Sequence, residues 1–248
     1  MPSVDRAILP FGRIIDIHAH ILPGVDDGAG DWKEARWMLS CAYRQGIHTI
    51  IATPHYSHRQ DVVQLRQFAS QLDMEAKRIA PDFSIFLGQE ILYFDSIVEC
   101  LQAGHALTMA GSRYVLVEFM PDISFSRMYQ AVRKLLVAGY HPILAHVERY
   151  SAMRDEEQMQ EMIRAGCYLQ MNYKSIQGGL FDHNVRRCRR LVKERQIHFL
   201  ATDMHGKDHR TPEISKSLRW LAGHVDESHV SYMLEKNAQQ LFTEWRKS

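Results

Sequence analysis

The chain has 248 residues, 46% hydrophobic and 24% charged, an ordinary globular composition with room for one large α/β domain or two small ones. Its 30 Lys+Arg stand against 29 Asp+Glu, so no overall field favours nucleic acid or an acidic membrane. No apolar run approaches the roughly 20 residues of a membrane span. The opening residues MPSVDR lack a signal peptide's apolar core, and the four scattered cysteines form no CxxC pair, which together point to reduced thiols in the cytoplasm. Fourteen histidines are the outlier, and histidine is the commonest metal ligand.

Short β-rich runs alternate with segments of helical period. The first run, 14–17, leads into His18 and His20 and then into the turn Pro23-Gly24-Val25-Asp26-Asp27-Gly28. Residues i and i+2 of a strand share a side, so the two histidines project together. Asp16 falls on the same face, where it is expected to orient a histidine. Of the aspartate pair, Asp27 is the expected ligand and Asp26 the residue that shapes the turn. A helical face of Ala35, Met38, Leu39 and Ala42 follows, stopped by Gly46. The run 48–52 ends in Thr53-Pro54-His55, 84–87 in Gly88-Gln89-Glu90, and 115–119 carries Glu118. Phe125, Met128, Val132 and Leu135 make a second helical face before Gly139. The run 142–145 then opens on His146-Val147-Glu148-Arg149. Met159, Met162 and Ile163 precede Gly166, and the run 167–171 ends in Asn172 and Tyr173. Arg186, Arg187, Arg189, Arg190, Lys193 and Arg195 form a basic run, read as the wet face of a helix or a dock for an acidic, phosphorylated tail or a membrane surface. The last run, 198–201, ends in Thr202-Asp203-Met204-His205, and a tail face of Val230, Met233, Leu234, Leu241, Phe242 and Trp245 should pack on the body.

With no repeat or Pro/Gly-rich linker, residues 14–248 read as a single domain behind a short N-terminal extension, 1–13. Seven β-then-α units predict an α/β fold with a parallel barrel of the TIM kind, the alternative being a doubly wound open sheet. Barrel chemistry sits where strands end, and six of the seven strand ends carry a His, Asp or Glu. The set is His18, His20, Asp27, His55, Glu90, Glu118, His146, Asp203 and His205. Nine exceed the roughly four to six ligands of one ion, so the pattern implies two or three divalent ions with a bridging carboxylate. Imidazole and carboxylate without thiolate suit Zn, Mn or Fe. Three divalent ions against four carboxylates leave about +2, which matches a phosphate dianion of roughly −2. Arg149 and Arg210 lie close by in sequence as forked donors for phosphate oxygens. Such a cluster would supply hydroxide at neutral pH for in-line attack on phosphorus. No cysteine is followed six positions later by arginine, and neither GxxxxGK[ST] nor GxSxG occurs.

As a set, "DIHAHILPGVDDG", "ATPHY", "GQEI", "LVEF", "ILAHVERY" and "ATDMHG…R" resemble the PHP (polymerase and histidinol phosphatase) superfamily. Within it they resemble the bacterial metal-dependent protein-tyrosine phosphatases of capsular and exopolysaccharide loci. The resemblance spans about residues 14–245. It implies a distorted seven-stranded barrel holding a trinuclear site, the nine residues above as ligands with Glu90 bridging, and Arg149 and Arg210 binding substrate phosphate and aiding catalysis. It implies two to three ions, with Mn favoured, and the phosphotyrosine tail of a bacterial tyrosine kinase as partner. Met204 and Gly206 depart from the family's usual Ala and Asn, and Leu92 stands where a tyrosine often follows GxEI. Phosphotyrosine also suits the chemistry, since a phenolate of pKa about 10 leaves with less help from a general acid than an alkoxide needs. Two alternatives remain at this point: a small-molecule phosphatase of the histidinol-phosphate type, and a non-catalytic phosphotyrosine-binding module.

Overall fold

Every strand pairing in the computed structural model is parallel, as β-then-α connectivity requires. The structure describes residues 12–179 and 181–243, so most of the extension 1–13, and Trp245 of the tail face, lie outside it. In chain order the elements are β1 (Ile14–Ala19), α1 (Trp32–Arg44), β2 (Ile47–Ala52), α2 (Val62–Ile79), β3 (Ser84–Leu87) and β4 (Glu90–Leu92). Next come α3 (Ile97–Gln102), β5 (Tyr114–Glu118), α4 (Phe125–Val137), β6 (His141–Leu144), α5 (Glu156–Arg164) and β7 (Tyr168–Asn172). The chain closes with α6 (His183–Lys193), β8 (Phe199–Ala201), α7 (Ser215–His224), α8 (Glu227–Ser231) and α9 (Asn237–Thr243).

The strand count corrects the sequence reading. Among the described residues eight strands, not seven, stand in two sheets, ordered β1-β2-β3 and β4-β5-β6-β7-β8. The extra strand arises at Gly88-Gln89, where the chain leaves β2 as partner and takes up β5. At Gly88 a Cβ would lie 2.9 Å from Met109 Sδ and 3.3 Å from Ile51 Cγ2, so only glycine passes without displacement. Gln89 is buried, and its amide accepts the Leu107 N–H and donates to Gln60 Oε1, both at 2.9 Å. The two sheets meet at isolated parallel bridges, Ala19 with Met204 and His55 with Glu90, all beyond or at the ends of strands.

The helices follow from their patterns. Asp31 caps α1 by accepting the Glu34 N–H at 2.8 Å, and the predicted face Ala35, Met38, Leu39 and Ala42 is fully buried. In α4 the buried face is Met128, Ala131, Val132 and Leu135, with Phe125 half-buried beside it. A second apolar cluster gathers Ile15, Ile17, Ile51, Leu116, Ile143, Ala145, Phe199 and Ala201 from the strands with Ala238 and Leu241 of α9. α9 docks at the strands' N-terminal ends, where Gln240 accepts from Tyr114 Oη at 3.1 Å and Asn237 donates to the His198 carbonyl at 2.8 Å. That leaves the C-terminal ends for polar side chains. No helix among the described residues is long and apolar enough to cross a membrane, and all four cysteines are unpaired.

Candidate metal centre

The nine expected ligands converge at those C-terminal ends. β1 delivers His18 and His20 through a register shift, in which Asp16 to Ala19 runs against only Ile50 to Ala52 of β2. A local irregularity of this kind re-aims side chains. Glu90, at the start of β4, is the hub: its Oε2 lies 3.1 Å from His18 Nε2, 3.1 Å from His20 Nε2 and 3.2 Å from His55 Nδ1. Its Oε1 lies 2.9 Å from His146 Nε2, which is in turn 3.3 Å from Glu118 Oε1. Asp203 Oδ1 stands 3.5 Å from His18 Nε2 and 3.6 Å from His20 Nε2. On the open side, Asp27, with a side chain 65% exposed, lies 3.4 Å from His55 Nε2 and 3.6 Å from His205 Nε2. Three overlapping groups have ligand atoms close enough for one ion each: His20, Asp27, His55 and His205; His18, His20 and Glu90; and His55, Glu90 and Glu118. His146 and Asp203 complete the set through Glu90, Glu118 and His18.

The backbone is bent to present these groups. Three of the five described non-glycine residues with positive φ lie here: His146 (32°), Asp203 (52°) and Arg210 (45°). Left-handed backbone at bulky residues is costly and persists where the surroundings enforce it. Two of those residues are expected ligands, and the third lies beside them. Arg149 Nη2 donates to Asp203 Oδ2 at 2.6 Å, and Arg210 Nη1 donates to His205 Nε2 at 2.9 Å and stands 3.5 Å from Asp203 Oδ1. Both arginines are therefore at the cluster's edge.

The donor set fits cations. Gln170 Oε1 accepts the His146 backbone N–H at 2.7 Å, so the His18 Nδ1 only 3.1 Å from that oxygen carries a hydrogen and Nε2 is the nitrogen turned to the cluster. His18 Nε2, His20 Nε2 and Glu90 Oε2 meet within 3.2 Å of one another, a convergence of nitrogen and oxygen atoms that suits a shared cation. Burial opposes charge on His20, but Asp26 and Glu90 override it and raise the ring to about 10. Burial likewise opposes charge on His146, and Glu118 and Glu90 carry it to about 9. His205 goes the other way: burial, then the charge on His20, pulls it down to about 4. Asp203 Oδ1 and His146 Nδ1 are buried with no hydrogen-bond partner, an arrangement that a polar protein interior otherwise avoids.

Residues 14–243 match the family described as capsular polysaccharide synthesis, CpsB/CapC. The chain belongs to that family. Among its relatives are the tyrosine-protein phosphatase YwqE of Bacillus subtilis, 33% identical over 92% of this chain and 91% of that protein, and the tyrosine-protein phosphatase CpsB of Streptococcus pneumoniae, 32% identical over 82% of this chain and 88% of that one. A solved structure from work on YwqE and CpsB, described as unique metal-dependent tyrosine phosphatases, superposes with a TM-score of 0.80 at 32% identity, covering 92% of this chain and 94% of that chain. A phosphotriesterase homology protein from Escherichia coli superposes with a TM-score of 0.58 at 13% identity, which speaks to fold alone.

Three supporting residues of this CpsB/CapC chain differ from the sequence expectation. Asp26 does shape the turn, accepting the Gly28 N–H at 3.0 Å, but it also binds His20 Nδ1 at 2.7 Å and accepts the His55 N–H at 2.9 Å. Asp16 does not orient a histidine ring. It accepts the Thr202 and His18 backbone N–H groups and so holds β1 to the end of β8. The ring of His18 is held instead by Gln170, which sequence reasoning missed. Gln170 also donates to Asn172 Oδ1 at 2.9 Å, and Asn172 donates to Asp203 Oδ2 at 2.8 Å. The available signal was Gln170 and Asn172 alternating with Leu169 and Met171 on β7, two amides on one face of a buried strand.

Proposed function

We propose that this chain is a metal-dependent protein-tyrosine phosphatase, working in the cytoplasm on the phosphotyrosine tail of a bacterial tyrosine kinase that regulates capsular or exopolysaccharide synthesis. Residues 14–248 form its single domain, and the two bridged sheets act as one distorted barrel. The observation that carries the proposal is the triplet of His18, His20 and Glu90 at the centre of nine converging His, Asp and Glu residues, with two guanidinium groups at its edge. Family membership narrows the substrate.

His18, His20, Asp27, His55, Glu90, Glu118, His146, Asp203 and His205 would hold two to three divalent ions, Mn in preference to Fe or Zn, with Glu90 as the carboxylate common to them. Bound ions of this kind acidify water and neutralise charge on a phosphoryl group. The chain's own residues supply the rest. Arg149 and Arg210 bind the phosphate oxygens and stabilise the charge that grows on them, in a site where Asp203 already fixes the Arg149 guanidinium before substrate arrives. Asp26 and Gln170 each hold one ring nitrogen of His20 and His18 and so aim the other at the cluster. The phenolate departs without a strong proton donor.

The experiment is turnover by purified, metal-loaded protein on a phosphotyrosine peptide, a phosphoserine peptide and histidinol phosphate. Phosphate release from phosphotyrosine is expected. Release from histidinol phosphate alone would place the chain among small-molecule phosphatases, and tight phosphopeptide binding with no release from any substrate would make it a binding module.

A further inference from the structure

Outside the metal cluster, a groove of about 420 Å³ runs between α6 and α7, lined by Arg186, Arg189, Arg190, Lys193, Trp220 and His224. The four basic residues stand at i, i+3, i+4 and i+7, one stripe of α6, opposite the buried stripe of Val185, Cys188, Leu191 and Val192. The facing wall is aromatic: Trp220 and His224 stack with ring centres 5.1 Å apart. The Arg189 guanidinium lies 5.1 Å and the Lys193 ammonium 5.8 Å from the Trp220 ring.

Charge in this groove is unbalanced. Arg190 pairs with Glu156 on α5, whereas no carboxylate among the described residues lies within ion-pair range of Arg186, Arg189 or Lys193. Arg189 is fixed from behind, its Nε donating to the Ile176 carbonyl at 3.0 Å and its Nη2 to the Gly178 carbonyl at 3.1 Å. These bonds neutralise nothing, since carbonyls carry no net charge. They do order the side chain in advance, which lowers the entropy cost of binding an anion. The same loop links the groove to the metal cluster, for it begins at Asn172, which donates to Asp203. Gly178 is six steps along the chain from Asn172, so the groove's edge lies within roughly 20 Å of the cluster's edge. An extended peptide covers that distance in about six residues.

We propose that this groove is a second contact for the protein substrate and takes an acidic stretch of polypeptide about six residues from the phosphotyrosine. The proposal rests on the phosphatase reading above. Concavity and the aromatic wall favour a peptide, whose carboxylates meet the arginine stripe while its side chains cover Trp220; a flat lipid surface fills such a groove poorly.

Two measurements with the metal-loaded full chain test it. The first is fluorescence anisotropy of a labelled Glu/Asp-rich peptide without phosphotyrosine, titrated with wild type and with the double variant Arg186→Glu, Lys193→Glu, beside sedimentation with phosphatidylserine vesicles. The second is turnover of p-nitrophenyl phosphate and of phosphotyrosine peptides bearing acidic residues on either side. Both substituted positions are exposed, so the variant folds. The expected result is peptide binding that weakens at least tenfold in the variant. The KM for the acidic phosphopeptide rises by a similar factor, and turnover of p-nitrophenyl phosphate does not change. Equal peptide affinity and equal KM in the two proteins would overturn the proposal. So would vesicle binding without peptide binding, which would assign the stripe, with the 97% exposed Phe181 before α6, to a membrane. If wild type fails to hydrolyse p-nitrophenyl phosphate, the phosphatase reading is what fails, and the anisotropy arm still decides the groove.

Discussion

Three strands carry a histidine at each end, and the two ends treat the same side chain differently. At the N-terminal ends, His48 of β2 donates to the Gly46 carbonyl at 2.7 Å, His141 of β6 lies against the Tyr114 ring, and His198 before β8 accepts the Leu169 N–H at 3.1 Å. Each has its own backbone or aromatic partner, and His48 Nε2 also lies 3.9 Å from Asp82 Oδ2. At the C-terminal ends, His55, His146 and His205 of the same strands face carboxylates and one another. The difference teaches that histidine content says little until placement is known. One end of this fold gives its histidines separate partners, and the other pools them around one carboxylate.

The comparison breaks most completely if the pooled end is not a metal centre. Glu90→Gln removes the charge that four imidazoles share. Turnover of phosphotyrosine is expected to fall by about three orders of magnitude, with metal content by elemental analysis dropping alongside it. Chelation of wild type should lower Tm, because ions that bind only the folded chain stabilise it. Undiminished activity in Glu90→Gln would end the assignment. Arg149→Ala should cost about 10²-fold in kcat with metal content unchanged, and Arg149→Lys should recover only part, since an ammonium lacks the forked geometry. Loss of metal in Arg149→Ala would move this residue from substrate to scaffold. Asp26→Asn is smaller, a loss of about 10- to 100-fold in metal affinity by competition titration, because the His20 ring loses its charged partner.

The smallest effect sharpens the contrast from the N-terminal ends. Burial, then the neighbouring His229, pulls His198 from 6.5 to about 4, so the folded chain disfavours its proton. Its contribution to stability is full above about 6.5 and is lost as pH falls through about 4. Chemical denaturation should show about 1–2 kcal/mol less stability at pH 5 than at pH 7 from this group. His198→Asn, whose amide oxygen can accept the same N–H, should flatten that slope and leave turnover at pH 7 unchanged. An unaltered slope would refute the account.

Much of this contrast was legible in the sequence because ligand side chains are chemically distinctive and strand ends are marked by composition. His18, His20, His55, Glu90, His146, Asp203 and His205 all sit where short apolar runs stop, and the structure brings them together. What stayed hidden depends on pairing. Nothing local announces that the chain changes sheet at Gly88-Gln89, since the change is a choice of partner, β2 before it and the later β5 after it. Gln170 stayed hidden because an amide is not a ligand type, and its role exists only once β1 and β6 present His18 and His146 to it. Asp16 misled because alternation fixes the face of a strand but not the partner waiting there, which is Thr202.

The turn after β1 carries one more implication. A Cβ at Gly28 would fall 2.2 Å from the His20 carbonyl oxygen and 2.5 Å from its Cβ, so the chain folds back on His20 with no side chain between them. Across a library of all single substitutions, position 28 should thus tolerate as little as a ligand position while never touching substrate. Its neighbour Asp27, largely exposed, should accept most replacements for folding and few for turnover. Adjacent positions in one turn would then separate abundance from activity, and a paired screen for the two would read the boundary between scaffold and chemistry at single-residue resolution.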